Sequence, residues 1–340
     1  MIFRPTKKTI KRFAELLLKG EVISFPTETV YGLGANAFDP VAVEKIFKIK
    51  KRPFFDPLIV HISDYRMFDS IVENHFDKRI VEKLIKRFWP GPLTLVLPKS
   101  PLIPDIVTAG LKTVAVRMPD NPVALSLIRE SKVPVAAPSA NRFGMISPVT
   151  AIQVQEQLSH KIPILDGGRT SVGVESTIID LSKKKISILR PGGISVSEIE
   201  KVLNQKISLK NKSIKTVAPG QLKNHYSTFT PLFTVSSKFI YNLLPYANRL
   251  PVILIFWKKP SLGNNYIKWF SKDGDSKTVC RNLFITLHSA DSEKKKAILV
   301  EIPLLNKRDG FNYTILDRLT KASRGNERSL FVRTLLHKYI

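Results

Sequence analysis

The sequence predicts an α/β protein built on a twisted, mixed β-sheet with flanking helices, followed by a second, smaller α/β domain. Three observations carry that prediction. Short, β-rich apolar runs recur through residues 1–205, separated irregularly by helical stretches, a hairpin-like pair and loops. That irregularity differs from the steady strand–helix alternation of a doubly wound sheet. Residues 206–231 are then polar, rich in Lys and Ser and poor in periodicity, which marks a linker long enough to have a function of its own. From 232 to 340, strand-like runs and a helix return.

Taken in order, Thr9 reads as a helix cap, with Ile10, Phe13, Leu16 and Leu17 at helical spacing and Gly20 as the stop. Val22–Phe25 is a strand ending at Pro26, and the turn that follows, containing Gly32 and Gly34, crowds Thr27, Glu28, Thr29 and Tyr31 together. Asp39-Pro40 opens a helix whose buried stripe is Val43, Ile46 and Phe47, and Lys50 and Arg52 fall at its C-terminus. A strand over Leu58–Ile62 carries His61, and Val81, Leu84, Ile85 and Phe88 mark another amphipathic helix. Leu93–Leu97 and Thr113–Met118 are strands joined by a Pro-rich loop, Pro98–Gly110.

Asn121-Pro122 opens a helix, Val133–Ala137 is a strand, and Ser147-Pro148 caps a helix over Thr150–Leu158. Ile162–Leu165 is a strand, Ser176–Asp180 and Ile186–Leu189 form a hairpin, and Ser197–Leu203 is a helix. In the second domain Val252–Phe256, Leu283–Leu287 and Ala297–Ile302 read as strands and Tyr313–Ser323 as a helix.

Composition narrows the function. Of 340 residues, 54 are Lys or Arg against 28 Asp or Glu, a net charge of +26, so polyanions are natural partners. A generally Lys-rich surface gives the same total, because the lysines are dispersed. A single cysteine, Cys280, leaves no disulfide framework, and the six histidines lack metal-ligand spacing, so no protein-held metal is expected. No signal-peptide core and no run of about 20 apolar residues occurs, so a cytoplasmic protein without a membrane span is expected.

No Gly-x-Ser-x-Gly elbow or Walker loop is present, and Gly32-x-Gly34 fits a tight turn better than a nucleotide loop. What remains is positioning chemistry. Lys50 and Arg52 suit a phosphate, and Arg117, at a strand end, is either a rim charge or a carboxylate clamp. Ser139 and Asn141 sit in a turn after a strand, and Ser176 and Thr177 start a strand. Several such groups at strand ends point to one polar pocket beside an anion site.

Pro26-Thr27-Glu28-Thr29-Val30-Tyr31-Gly32-Leu33, Lys50-Lys51-Arg52-Pro53, Pro57-Leu58-Ile59-Val60-His61 and Ser139-Ala140-Asn141, in this order, resemble the YrdC/Sua5 family. Gly173-Val174-Glu175-Ser176-Thr177-Ile178-Ile179-Asp180 and Arg190-Pro191-Gly192-Gly193 extend the resemblance across residues 8–205. Ala218-Pro219-Gly220-Gln221-Leu222-Lys223-Asn224-His225-Tyr226 is similar to the linker of the long, Sua5-like form, whose C-terminal domain is Rossmann-like.

The resemblance implies a YrdC-like catalytic domain (1–205), a linker acting as a lid (206–231) and a Sua5-type domain (232–340). It implies synthesis of L-threonylcarbamoyladenylate from L-threonine, bicarbonate or CO2, and ATP, with Mg2+ on the nucleotide. It also implies a downstream threonylcarbamoyl-transferase complex as partner, and tRNA or double-stranded RNA as a further one. Carried over by position, Thr29, His61, Arg117, Ser139 and Ser176 would hold threonine, with Arg117 on its carboxylate. Lys50, Arg52, Asp56, Thr113, Asn141, Ser147, Arg190 and Tyr226 would hold ATP, with Lys50 and Arg52 as the catalytic cations and Tyr226 as the lid. Two positions depart from the family pattern: Asp56 stands where Asn is usual, and Ser227-Thr228 replace Ala-Pro.

Two rival readings are a non-catalytic RNA-binding protein, which the net charge favours, and a carbamoyl-transfer module. The second normally comes with acylphosphatase-like and zinc-finger segments, and residues 1–8 have no room for them.

Overall fold

A computed structural model describes residues 1–158, 161–209, 225–263, 265–306 and 310–323. The chain divides into two units, residues 1–143 with 147–222, and residues 144–146 with 223–340.

The first unit begins with β1 (Ile2–Phe3) and α1 (Lys7–Leu18). The cap of α1 is Thr6, whose hydroxyl accepts from the Thr9 N–H, one turn earlier than the sequence indicates. β2 (Ile23–Phe25) and β3 (Gly32–Asn36) follow. The glycines read as a turn therefore lie in a strand. They are needed there because β3 passes over the Phe25 ring: a Cβ on Gly34 would stand 2.7 Å from both Phe25 Cε1 and Val135 Cγ1.

α2 (Pro40–Lys50) is capped by Asp39 as predicted and is followed by β4 (Ile59–His61), α3 (Tyr65–Ile71), α4 (Lys78–Phe88) and β5 (Leu93–Pro98). The Pro-rich loop contains a short helix, α5 (Asp105–Thr108), before β6 (Thr113–Arg117), α6 (Pro122–Ser131) and β7 (Val135–Ala137). The helix α7 (Ala151–Gln157) is capped by Thr150 rather than Ser147. β8 (Ile164–Leu165) precedes the hairpin of β9 (Thr177–Asp180) and β10 (Ser187–Arg190), and α8 (Val196–Leu203) opens with a capping box on Ser195. β11 (Ser208–Leu209) pairs in parallel with β10, so the first domain continues past residue 205.

These strands make one mixed sheet in the order β1-β8-β2-β3-β7-β4-β6-β5-β9-β10-β11. Its two faces are covered unequally, and that inequality positions the site. Side chains alternate across a sheet. One face carries Leu33, Leu58, Val60, Leu95, Leu97, Val114, Val116 and Ile179 into a large core with α2, α4 and α8. On the other face, β2 and β7 meet α1 and α6 through Phe13, Leu17, Phe25, Leu127, Ile128 and Val135. The rest of that second face is a small cluster made wholly of strand residues: Ile59, Val96, Ala115, Ile178 and Leu189.

In the second unit, β12 (Leu232–Ser236) leads to α9 (Ser237–Leu243), a 3-10 turn (Leu244–Tyr246), β13 (Val252–Lys258) and β14 (Ile267–Ser271). α10 (Ser276–Ser292), β15 (Ala297–Ile302) and α11 (Asn312–Ala322) complete it. The four strands are all parallel, in the order β12-β15-β13-β14, and the unbroken apolar run of β13 suits a strand buried on both faces. Leu283–Leu287, expected as a strand, lies inside α10. Val279, Cys280, Leu283, Phe284, Leu287 and Ala290 are its buried face at helical spacing.

The linker signature Ala218–Asn224 lies outside the described residues. Among the described residues no helix is long and apolar enough to cross a membrane.

Gly34→Ala should destabilise the first unit by about 1–3 kcal/mol through overpacking. Gly263→Ala, whose added Cβ meets nothing within 4 Å, should shift stability by less than about 0.5 kcal/mol. Thermal melts of the two variants check this; equal shifts would mean that the strand over Phe25 is misplaced.

Candidate functional site

The strand-only cluster forms the base of the site, and its polar neighbours follow from the register. His61, Arg117 and Thr94 share that face with Ile59, Ala115 and Val96, two residues along the same strands. His61 is directly opposite Arg117 across β4 and β6. A register shift between Ile188 and Arg190 sets Arg190 opposite Ile178 and so adds a guanidinium to the same face.

At the Arg117 end the polar groups interlock. Arg117 Nη2 pairs with Glu28 Oε2 at 2.6 Å, both side chains being 4% exposed, and Nη1 donates to Thr29 Oγ1 at 2.9 Å. Thr29 in turn shares a 2.7 Å hydrogen bond with Thr27, whose hydroxyl also contacts the Val30 carbonyl and so fixes the turn. His61 meets the Phe25 ring edge-on at 5.9 Å. Burial, and then the neighbouring Arg117 charge, push its pKa down to about 3, so His61 is neutral at physiological pH. Ser176 shares a 2.7 Å hydrogen bond with Thr94 and accepts from Arg190 at 3.0 Å. Gly192 is required beside it, since a Cβ there would stand 2.3 Å from the Glu175 carbonyl.

The other end is cationic. α2 stops with Lys51 in the left-handed region (φ 52°), the Lys51 N–H bonded to the Lys48 carbonyl and the Arg52 N–H to the Phe47 carbonyl. This turn brings Lys50 and Arg52 inward. Lys50 is buried and its Nζ donates to the carbonyls of Ser139 and Asn141, while burial and the adjacent Arg52 push its pKa well below the usual lysine range. Arg52 donates Nε to the Asp56 carbonyl at 3.0 Å and Nη2 to the Pro57 carbonyl at 2.9 Å, and pairs with Asp56 Oδ2 at 2.8 Å. Burial pushes the Asp56 carboxyl up, while Arg52, Lys50 and Arg190 pull it back down. Basic side chains thus outnumber the one carboxylate here, an arrangement that suits a polyanionic ligand.

Thr113 lies on the same face as Ala115 and Arg117 but at the start of β6, opposite Pro98 of β5. The distance from Thr113 to Arg117 along the strand is about 13 Å. The polar groups are therefore spread along the strands, with Thr113 at the start of β6 and His61 and Arg117 side by side at the ends of β4 and β6.

Of the residues expected from sequence, Thr29, His61, Arg117 and Ser176 come together at one end, and Lys50, Arg52 and Asp56 at the other. Ser139 offers its carbonyl to Lys50, so its backbone belongs with the cationic group. Asn141 is buried and its amide donates to the Arg142 carbonyl at 2.8 Å. Ser147, no helix cap, donates to Glu175 Oε1 at 2.5 Å. Asp56 holds Arg52 in place, a role that a carboxylate fits better than contact with phosphate. Tyr226 belongs to the second unit, where it stacks on Phe284 at 5.5 Å with the Arg318 guanidinium 4.8 Å from its ring.

Sequence reasoning placed Glu28 and Glu175 inside motifs without a role, and it passed over Thr94. Their partners lie 82 or more residues away for Thr94 and for the Thr29–Arg117 contact, and local pattern carries no signal of such pairings.

The chain is similar to known proteins over most of its length. Residues 15–192 match the Sua5–YciO–YrdC family model, described as "Telomere recombination", and residues 194–324 match the "Threonylcarbamoyl-AMP synthase, C-terminal domain". The chain is 39% identical over 327 residues to the threonylcarbamoyl-AMP synthase of Pyrococcus abyssi, covering 92% of this chain and 94% of that one. It is 40% identical over 328 residues to the Bacillus subtilis protein of the same name, covering 93% of each. The crystal structure of P. abyssi Sua5 complexed with L-threonine superposes with a TM-score of 0.86 at 37% identity, over 95% of this chain and 97% of that one.

The low pKa of His61 has a stability consequence. Between about pH 6.5 and 3 the unfolded chain takes up a proton at this residue that the folded chain excludes. Its contribution is therefore complete above about pH 6.5 and lost as the pH falls toward 3. His61→Gln should flatten the acid limb of urea-unfolding stability by up to about 1.4 kcal/mol per pH unit relative to the parent chain. An unchanged slope would mean that His61 is protonated in the fold.

Proposed function

The chain belongs to the Sua5–YciO–YrdC family, in the long form that carries the second domain, and on that premise we propose that it synthesises L-threonylcarbamoyladenylate. The substrates are L-threonine, bicarbonate or CO2, and ATP, and pyrophosphate is released. The observation that carries this reading is the two-ended site: Thr29, His61, Arg117 and Ser176 at one end, with Arg190 bonded to Ser176, and the buried basic pair Lys50 and Arg52 at the other.

The chemistry needs no protein nucleophile. The threonine amine captures CO2 as a carbamate, and a carbamate oxygen displaces pyrophosphate from the α-phosphorus of ATP. The residues contribute orientation and charge stabilisation. Arg117 meets the amino-acid carboxylate, and neutral His61 can hydrogen-bond the threonine hydroxyl. Lys50 and Arg52 stabilise negative charge developing on phosphate, with Arg190, Thr113, Asn141 and Ser147 around the nucleotide.

Among the described residues no three His, Cys, Asp or Glu side chains converge as metal ligands. Mg2+ would accompany ATP as the counter-ion of its triphosphate and neutralise the leaving pyrophosphate. The product would serve N6-threonylcarbamoyladenosine formation at position 37 of tRNAs, through a downstream transferase complex in the cytoplasm. The net charge of +26 supports direct contact with tRNA or double-stranded RNA as a second property.

Purified protein given ATP, bicarbonate and Mg2+ should release pyrophosphate only when L-threonine is added; release independent of threonine would sink the reading. Arg52→Ala and Arg117→Ala should each lower turnover by at least about 100-fold with circular dichroism unchanged. Near-normal turnover in either would show the site to be misplaced. RNA affinity, measured by fluorescence anisotropy, should survive in both variants and fall steeply with added salt.

A further inference from the structure

The Arg117–Glu28 pair has two loose ends. Glu28 Oε2 is bound to Arg117, but Glu28 Oε1 is buried and finds no hydrogen-bond donor among the described residues. Arg117 engages Thr29 and Glu28 through its two terminal nitrogens, and its Nε–H likewise finds no acceptor. A buried ion pair left this way is costly, because each unmet group has lost water without replacement. The pair therefore presents one unmet acceptor that carries negative charge and one unmet donor that carries positive charge, side by side.

That pattern matches a zwitterion. A carboxylate can take the Arg117 Nε–H, and an α-ammonium can donate to Glu28 Oε1. Charge counting points the same way. Arg117 alone would be a buried cation that any small carboxylate could neutralise, including a 2-hydroxy acid of the same shape. With Glu28 in place the pair is already neutral, and only a ligand bringing both charges keeps it so while meeting both loose ends.

We propose that Glu28 reads the α-ammonium group of the amino-acid substrate and so makes the site selective for amino acids over their 2-hydroxy counterparts. The inference rests on the proposed use of L-threonine as substrate and assigns that end of the site a residue for the amine.

Isothermal titration calorimetry on the full chain tests it, with L-threonine and 2,3-dihydroxybutanoate of matching configuration as ligands. The parent chain should prefer threonine by at least about 30-fold, the worth of one buried charge-assisted hydrogen bond. In Glu28→Gln that preference should fall below about 5-fold, because the side chain keeps its size but loses its charge. Glu28→Asp, which restores the charge, should recover part of it.

If Glu28→Gln weakens both ligands by the same factor, Glu28 merely fixes Arg117 and the proposal is overturned. A parent chain that binds the hydroxy acid within about 5-fold of threonine overturns it without any variant. Failure of the parent chain to bind L-threonine at all would instead overturn the proposed function.

Discussion

Ionic groups buried on a sheet face that also carries apolar residues set the terms for the rest of the first unit. Five apolar residues, all from strands, share that face with His61, Arg117 and Arg190, and Lys50 and Arg52 reach the same region from the end of a helix. Charge kept this close to hydrocarbon must be paired or hydrogen-bonded. Glu28 answers Arg117, Asp56 answers Arg52, and backbone carbonyls answer Lys50. Each partner lies on a different turn or loop, so several connections of the unit are fixed by a polar obligation as well as by packing. The opposite face needs no such arrangement, and there ordinary aliphatic packing against α2, α4 and α8 suffices.

The answers are incomplete in a consistent sense. Around Asp56 basic side chains outnumber the carboxylate, whereas around Arg117 one acid answers one base but leaves unmet atoms. The first imbalance suits a ligand with several negative charges, the second a small ligand with one of each sign. The two ends of one site are thereby different in kind. They lie at opposite ends of β4 and β6, which run parallel, so a ligand spanning them would lie along the strands.

Much of this was legible in the sequence where the signal was local. The Asp39 and Asn121 caps, the stripes of α2 and α4, and the β9–β10 hairpin follow from spacing and end chemistry within a few residues. The misreadings have physical causes. Gly32 and Gly34 look like a turn, yet they are glycine because a neighbouring strand brings the Phe25 ring against them. Leu283–Leu287 reads as a strand in isolation, and only the longer period through Val279 and Ala290 reveals the helix. In the site, residue types at strand ends were readable, but which carboxylate meets which guanidinium depends on the order of an eleven-stranded sheet.

The three residues Gly144–Ile146 group with the second unit, where Met145 and Ser227 form a parallel bridge, although the chain on either side of them belongs to the first. The chain therefore passes between units three times, and a single junction after the first domain does not describe it. The first crossing comes two residues after Asn141, whose carbonyl, with that of Ser139, holds the Lys50 ammonium, so the chain leaves the first unit directly from the segment that fixes this basic group.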